Sequence, residues 1–419
     1  MTDNCASPSL LSVADAIGRM ISALENSRSL PSADSSIELI PLESAVKRIV
    51  AQDVISNLNV PPSDNSAMDG YALRADSLSH GDTLIEVGVV YAGKPIDLTV
   101  NNGECVRIMT GAPIPSGADT VIMKEQTKTL EGNKVQFLVN KPAGNNIRKA
   151  GEDIALGNTV IQQGTRLNAA NIALLASLGE ANVAVFKQLT IGILATGDEL
   201  MPAGQALKPG QIYESNRIAL RTLLTQFGAR VIDYGIIEDT VSATSEAFHK
   251  ADLECDAVIS SGGVSVGDAD FVKQVLNSVG EVGFWKVAIK PGKPFAFGKL
   301  LNAWFCGLPG NPVSSFVTCQ QLVFPFLRAL QNELPVMSTT YAATLSTDIR
   351  KQVGRMDFQR GIYQVDDAGN IVVKPNGPQG SGVMSSVANA NCYIVIPAEQ
   401  GSLKKGTQVK IIPLEHLYN

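Results

Sequence analysis

Histidine is scarce in this chain of 419 residues: only His80, His249 and His416 occur. None is spaced to pair with another as a metal ligand, which argues against an imidazole-based metal site. The six cysteines, Cys5, Cys105, Cys255, Cys306, Cys319 and Cys392, are scattered without a CxxC. That pattern speaks against zinc or a disulfide framework and for buried thiols in a reducing cytoplasm. Charged residues are 18% of the chain, below the roughly 25% of an average globular protein. The formal net charge is −6 and no long basic run occurs, so neither nucleic acid nor an anionic membrane is the expected partner. No stretch of about 18 consecutive apolar residues exists to cross a bilayer. The first twenty residues have no basic residue before Arg19 and no apolar run of secretory-signal length. What remains for chemistry is carboxylates, lysines, hydroxyls and backbone amides.

Hydrophobic residues make up 45%, enough for several cores, and the length suggests about three domains. Leu10, Val13, Ile17, Met20 or Ile21, and Leu24 recur at helical spacing behind a Ser12–Asp15 capping box. From about Ser56 to Gly144, short β-rich runs alternate with Gly/Pro turns, as in an inserted β domain. Asn168 is placed to cap a helix that Gly179 stops. From Leu189 to Leu330, apolar strands alternate with amphipathic helices, which predicts a doubly wound, mostly parallel α/β sheet. Its strands are LTIGILA, ARVIDYGII, CDAVISS, VGFWKVAI, FAFGKL and AWFCGL, and its last helix runs from Pro312 to Leu330. The final stretch is β-rich again, with a hairpin turn at Asp366–Gly369, and suggests a small sandwich or barrel.

Five strands of the α/β region each end in a loop of polar or Gly-rich composition: TGDEL, EDT, SGGVSVGDAD, KPGKP and LPGNPVSS. Ligands of open α/β sheets bind beyond the carboxyl ends of the strands, so five such loops predict one crevice. In SGGVSVGDAD, Ser261, Gly262, Gly263, Ser265, Gly267 and Asp268 offer close backbone approach followed by a helix N-terminus, which suits a tetrahedral oxyanion. A tight strand-to-helix turn would also need those glycines. Pro309, Gly310, Asn311, Pro312 and Ser314 repeat the pattern, and ordinary helix capping is the alternative. The chain contains neither a P-loop nor a dinucleotide fingerprint. Asp198, Glu199, Asp239, Asp268 and Asp270 are expected on the same rim. Clustered acids need compensating charge, and without histidine Mg²⁺ is the natural candidate, with Asp239 and Asp270 the preferred carboxylates. Lys286 and Lys290, four apart on one expected strand, would project to one face, with Lys293 in the turn beyond. Such lysines can hold a multiply charged anion. Asp69 with Gly70, and Thr110 with Gly111, sit in turn-rich segments, and Asp153 lies near two basic residues.

Together, NSAMDGYA, TGAPIPSGADTVIM, GEDI, TGDEL, SGGVSVGDADF, KPGKPFAFG and LPGNPVSSF resemble the MoeA family of molybdopterin molybdenumtransferases, which includes the gephyrin E domain. The resemblance runs in order from about residue 12 to the C-terminus. It implies a discontinuous helical linker domain (1–55 and 145–186), an inserted β domain (56–144), a molybdopterin-binding α/β domain (187–333) and a C-terminal β-barrel (334–419). It also implies Mg²⁺-dependent ligation of molybdate to adenylylated molybdopterin, releasing AMP and molybdenum cofactor. The implied functional residues are Asp69, Thr110, Asp153, Glu199, Asp239, Asp270, Lys286 and Lys290, with Ser381 or Ser385 from GSGVMSS. Substrate contacts would come from Thr196, Gly197, Ser261, Gly262, Gly263, Ser265, Gly267, Asp268, Lys293, Pro309, Gly310, Asn311, Pro312 and Ser314. A homodimer is implied, with Asp69 and Thr110 serving the partner's site. Contacts with the molybdopterin adenylyltransferase and acceptor molybdoenzymes are implied as well. A gephyrin-like scaffold and a nucleotide phosphoanhydride hydrolase are the alternative readings.

Overall fold

Apolar residues run almost continuously along the central strands between Leu189 and Leu308, and successive side chains point to opposite faces, so both faces are buried. A computed structural model of the chain describes residues 10–27, 36–94, 97–263, 275, 280–335 and 339–417. These residues form two units. One comprises the residues up to Glu38, Lys47–Ile49 and those from Val185 onward; the other comprises Leu39–Val46 and Val50–Ala184.

The first unit is built on a six-stranded sheet. Its strands are β1 (Thr190–Thr196), β2 (Arg230–Ile237), β3 (Ala257–Ser261), β4 (Gly280–Lys286), β6 (Pro294–Leu300) and β7 (Trp304–Leu308). The short β5 (Ile289–Lys290) belongs to another sheet. The spatial order is β2-β1-β3-β7-β6-β4, with the first four parallel and β6 antiparallel to both its neighbours. Ile191, Ile193, Ile259 and Cys306 face one core, where α1 (Val13–Ser27), α2 (Asn216–Phe227) and the helical run from Pro312 to Leu330 pack. Leu194, Val258 and Phe305 face the other, against Phe248 and Ala251 of α3 (Val241–Glu254). The sheet is thus doubly wound, as the sequence predicts.

Helix α1 begins as expected, with the Ser12 hydroxyl accepting from the Asp15 N–H at 3.0 Å. Its core face is Ala16, Met20 and Leu24, so this helix, which falls within the expected linker segment, packs with the α/β sheet. The Pro312–Leu330 helix comes in three pieces: α4 (Pro312–Thr318), a π-helical turn (Cys319–Val323) and α5 (Phe324–Leu330). Pro325 lacks an amide proton, and the wider turn immediately ahead of it absorbs the missing hydrogen bond.

VGFWKVAI is not one strand. β4 stops at Lys286, Val287 bridges to Leu11, and β5 pairs in parallel with Met356–Asp357. Leu11 donates to the Lys286 carbonyl at 2.9 Å and accepts from the Ala288 N–H at 2.7 Å, so the N-terminal segment occupies the ladder there. Lys286 and Lys290 therefore lie in different sheets rather than on one face.

The C-terminal β-rich segment closes on itself. β8 (Tyr341–Leu345), β10 (Ile371–Pro375), β9 (Met356–Val365), β11 (Cys392–Ile396) and β12 (Gln408–Pro413) pair around a ring that returns to β8, giving a five-stranded barrel. The expected hairpin turn is present: the Asp366 carboxylate accepts from the Ala368 and Asn370 amides at 3.0 and 2.8 Å. Phe358, Tyr393, Ile412 and Leu414 of this part lie in the core that also holds Trp304 and Phe326.

The second unit holds a mixed six-stranded sheet between Gly70 and Phe137. It also holds the helix Ala169–Ser177, which Asn168 and Asn171 cap reciprocally at 3.0 Å each.

Candidate functional site: a cleft at the strand tips

The four parallel strands end level. Thr196 is in register with Ile237, and Ser261 is opposite both Ala195 and Leu308. β6 runs the other way, so its first residue, Pro294, returns to the same edge opposite Lys286. The loops after β2, β1, β3 and β7, and the turn before β6, thus share one side of the sheet. Between them lies a cleft of ≈ 440 Å³. Its floor is largely backbone: Gly262, Gly263, Pro309 and Gly310. Thr196, Glu199, Ser261, Asn311, Pro312 and Pro294 line it further.

The floor requires glycine at Gly262. Its φ is +93°, and a Cβ there would lie 2.9 Å from the Thr196 carbonyl oxygen. The side chain of Asn311 makes no capping bond to α4, which leaves its amide free to face the cleft. Ser314 is buried within α4. Glu199 and Asp239 are exposed at the tips of adjacent strands, ahead of Thr240, which caps α3. Gly197 follows Thr196 at the same tip. Ser265, Gly267, Asp268 and Asp270, with the helix expected near Ala269–Ser278, lie outside the described residues apart from Val275.

The lysines are distributed differently from the sequence expectation. Lys286 and Lys293 are exposed, and the Lys293 carbonyl accepts from Val287 at 2.9 Å. Lys290 donates to the buried Asp357 carboxylate at 3.2 Å and lines a separate recess on the barrel. Of the two candidate serines, Ser381 accepts at its backbone oxygen from the Val313 N–H at 3.0 Å, beside the first turn of α4. Ser385 starts the short helix Ser385–Ala388.

Two contributors went unpredicted. Asn216, the first residue of α2, donates through Nδ2 to the Ser261 hydroxyl at 2.8 Å and to the Gly310 carbonyl at 2.7 Å, joining two of the cleft loops. Arg360, wholly buried, donates to the Ser386 hydroxyl at 3.0 Å and to the Gly380 carbonyl at 3.2 Å, fixing the loop that carries Ser381. Burial lowers its pKa from the ordinary arginine value. The YESNR run could have flagged Asn216 only as one polar residue among several.

In the second unit, Asp69 and Thr110 meet although far apart in sequence. One Asp69 oxygen accepts both the Thr110 N–H and its hydroxyl at 2.8 Å, and these bonds hold the Asp69 carboxyl below its usual range. Asp153 is exposed in the same unit.

Residues 11–179 match the MoeA N-terminal region (domain I and II), 192–329 the "Probable molybdopterin binding domain", and 342–414 the MoeA C-terminal region (domain IV). A molybdopterin molybdenumtransferase of Haemophilus influenzae is 47% identical over 381 residues, which is 91% of this chain and 94% of that one. The chain belongs to the MoeA family. Another molybdopterin molybdenumtransferase, from Nostoc sp., is 35% identical over 404 residues, covering 92% of this chain and 91% of its own. The crystal structure of the molybdopterin biosynthesis moeA protein from Pyrococcus horikoshii OT3 superposes with a TM-score of 0.83 at 30% identity, over 97% of this chain and all of that one. This MoeA chain is accordingly a transferase of molybdenum cofactor biosynthesis.

The described cysteines are free, and burial pushes the Cys105 and Cys392 thiols up to about 12, far from a reactive thiolate. No helix among the described residues is long and apolar enough to cross a membrane.

Proposed function

We propose that this MoeA chain ligates molybdate to adenylylated molybdopterin with Mg²⁺, releasing AMP and molybdenum cofactor. The observation that carries the reading is the level set of strand tips around a cleft floored by backbone, with hydroxyls at its walls and carboxylates at its rim. Anionic reactants need donors that approach closely and charge that is neutralised, and phosphoanhydride cleavage depends chiefly on positioning and electrostatics. Asn216 would hold the Ser261 and Gly310 loops at a fixed spacing so that their backbone need not reorganise around substrate.

Among the described residues no three acidic, histidine or cysteine groups come together as a metal cage. A Mg²⁺ carried on phosphate needs only one or two carboxylates; Asp239, exposed at a strand tip, is of that donor type, and Asp270, its expected companion, lies outside the described residues. When bound, the ion would supply charge neutralisation on the phosphates. Lys286 and Lys293 would steady the anions, and Ser381 would face them beside α4. Asp153 is a further catalytic candidate. A homodimer is part of the reading, with the Asp69–Thr110 pair of one subunit serving the partner's cleft. So are a cytoplasmic location and contacts with the molybdopterin adenylyltransferase and with acceptor molybdoenzymes.

The test is AMP release from adenylylated molybdopterin with Mg²⁺, with and without molybdate. Release that depends on molybdate is expected, and Asp239→Asn should cut it at least about tenfold while leaving the fold intact. Release that ignores molybdate points to a hydrolase, no release to a scaffold, and near-normal turnover in the variant removes Asp239 from the metal role.

A further inference from the structure

The barrel carries a second polar recess, of ≈ 420 Å³, walled by Lys290, Arg350, Lys351, Arg355 and Ser402. Its frame is rigidly tied. Ile349 and Leu403 exchange backbone hydrogen bonds at 2.8 and 2.9 Å, and Gly354 donates to the Ala398 carbonyl at 2.7 Å. The Ser402 hydroxyl accepts from the Lys351 N–H at 3.2 Å.

Lys351 is only 7% exposed. Its ammonium ends among neutral carbonyls, those of Gln400 at 2.6 Å, Gln352 at 3.3 Å and Ala398 at 3.4 Å. Carbonyls occupy its protons without cancelling its charge. Burial lowers the Lys351 pKa, Asp357 and Glu399 oppose that, and Lys290 and Arg355 add to it. Asp357 is already engaged by Lys290 at 3.2 Å and by the Gln359 amide at 3.1 Å, and Glu399 is exposed. The guanidinium groups of Arg350 and Arg355 have no hydrogen-bond or ion-pair partner among the described residues. Four cations thus face one committed and one solvated carboxylate, around an opening with two free arginine forks.

We propose that this recess is a binding site for a tetrahedral oxyanion dianion, separate from the strand-tip cleft. Arg350 and Arg355 supply the donors, since a guanidinium presents paired N–H groups that match tetrahedral oxyanions. Lys351 supplies a fixed positive field from inside the wall. The ligand chemistry is shared by free molybdate and by a phosphate monoester. The proposal goes beyond the reading of the cleft, because it requires no reaction there.

The test is calorimetric titration of the full chain at low salt with molybdate alone and, separately, with AMP. Arg350→Gln combined with Arg355→Gln should weaken one of the two anions by about tenfold or more, whereas Lys at both positions should retain most of the binding. Loss confined to molybdate assigns the site to the free oxyanion, and loss confined to AMP assigns it to a phosphate ester; either supports the proposal. Unchanged titrations of both anions overturn it. Should the Gln variant unfold, modification of wild-type Arg350 and Arg355 by phenylglyoxal, read by mass spectrometry, replaces it. Protection by either anion supports the site, and equal modification in its presence and absence overturns it. AMP release is read in a different assay on a different residue, so a failure here is distinguishable from a failure of the proposed reaction.

Discussion

Asp233 never faces the cleft, yet the cleft's geometry depends on it. It lies on β2, pairs with Arg217 and accepts the Gly235 N–H at 3.0 Å. Arg217 follows Asn216 in α2, and its own N–H donates to Glu214 at 2.7 Å. The first turn of α2, and with it the Asn216 bridge between two loops, is therefore pinned from behind. Burial alone would raise the Asp233 pKa, but the Arg217 hydrogen bond and the Gly235 amide outweigh it, so the folded value lies below 3.8. A carboxylate with a depressed folded pKa contributes stability that is complete above its unfolded pKa and fades as pH falls through the folded one. Asp233→Asn is therefore expected to cost about 1–3 kcal/mol at neutral pH, where denaturant unfolding reads it. The gap between variant and wild type should narrow below pH 3.8. A gap that persists unchanged in acid would show that the ion pair is not its source. Neither Asn216 nor Arg360 was legible as a site residue, because each acts by bridging loops that only the fold brings together. Thr196, Gly262 and Gly310 were legible, since a glycine or hydroxyl at a strand end carries its meaning locally.

At the scale of elements, the six strands and the helices flanking them follow from alternation and punctuation in the sequence. The interruptions do not. The break between β4 and β5 is made by Leu11, which is remote in sequence, and no periodicity within VGFWKVAI could announce it. The π turn at Cys319–Val323 follows only in part from Pro325, and in part from how the helix meets its surroundings, including the buried Tyr393 hydroxyl, which donates to Gln320 at 2.7 Å. The junction of β3 with its loop gives an element-scale prediction. Gly262→Ala would force a side chain into a left-handed backbone 2.9 Å from a carbonyl oxygen. About 1–3 kcal/mol of strain should appear in thermal melting, with a larger fall in kcat/KM as the loop shifts. An unchanged kcat/KM would mean that this junction does not shape the cleft.

At the scale of the molecule, the barrel and the α/β sheet are one folding problem. Phe358, Tyr393 and Leu414 of the barrel part share a core with Trp304, Phe326 and the helices beneath the sheet. Phe297 stacks on Trp304 at 5.5 Å, and Phe326 meets both edge-on at 5.0 and 5.3 Å. A chain shortened to end at Leu334 would expose part of this core to water, at roughly 25 cal/mol per Å² of apolar surface. It is expected to bind an apolar dye and to lose its sharp melting transition in calorimetry. Undiminished cooperativity would show that the sheet domain stands alone. The division into β-rich and α/β segments was legible from texture, but the shared core was not, because it joins residues that no local pattern relates.

The seam between Leu11 and Val287 also bears on biosynthesis. During translation the first helix emerges early, whereas the strand whose backbone it must lace appears only after most of the sheet has been made. Because that contact spans much of the chain, the cost of closing the intervening loop makes the seam slow to form relative to local pairings.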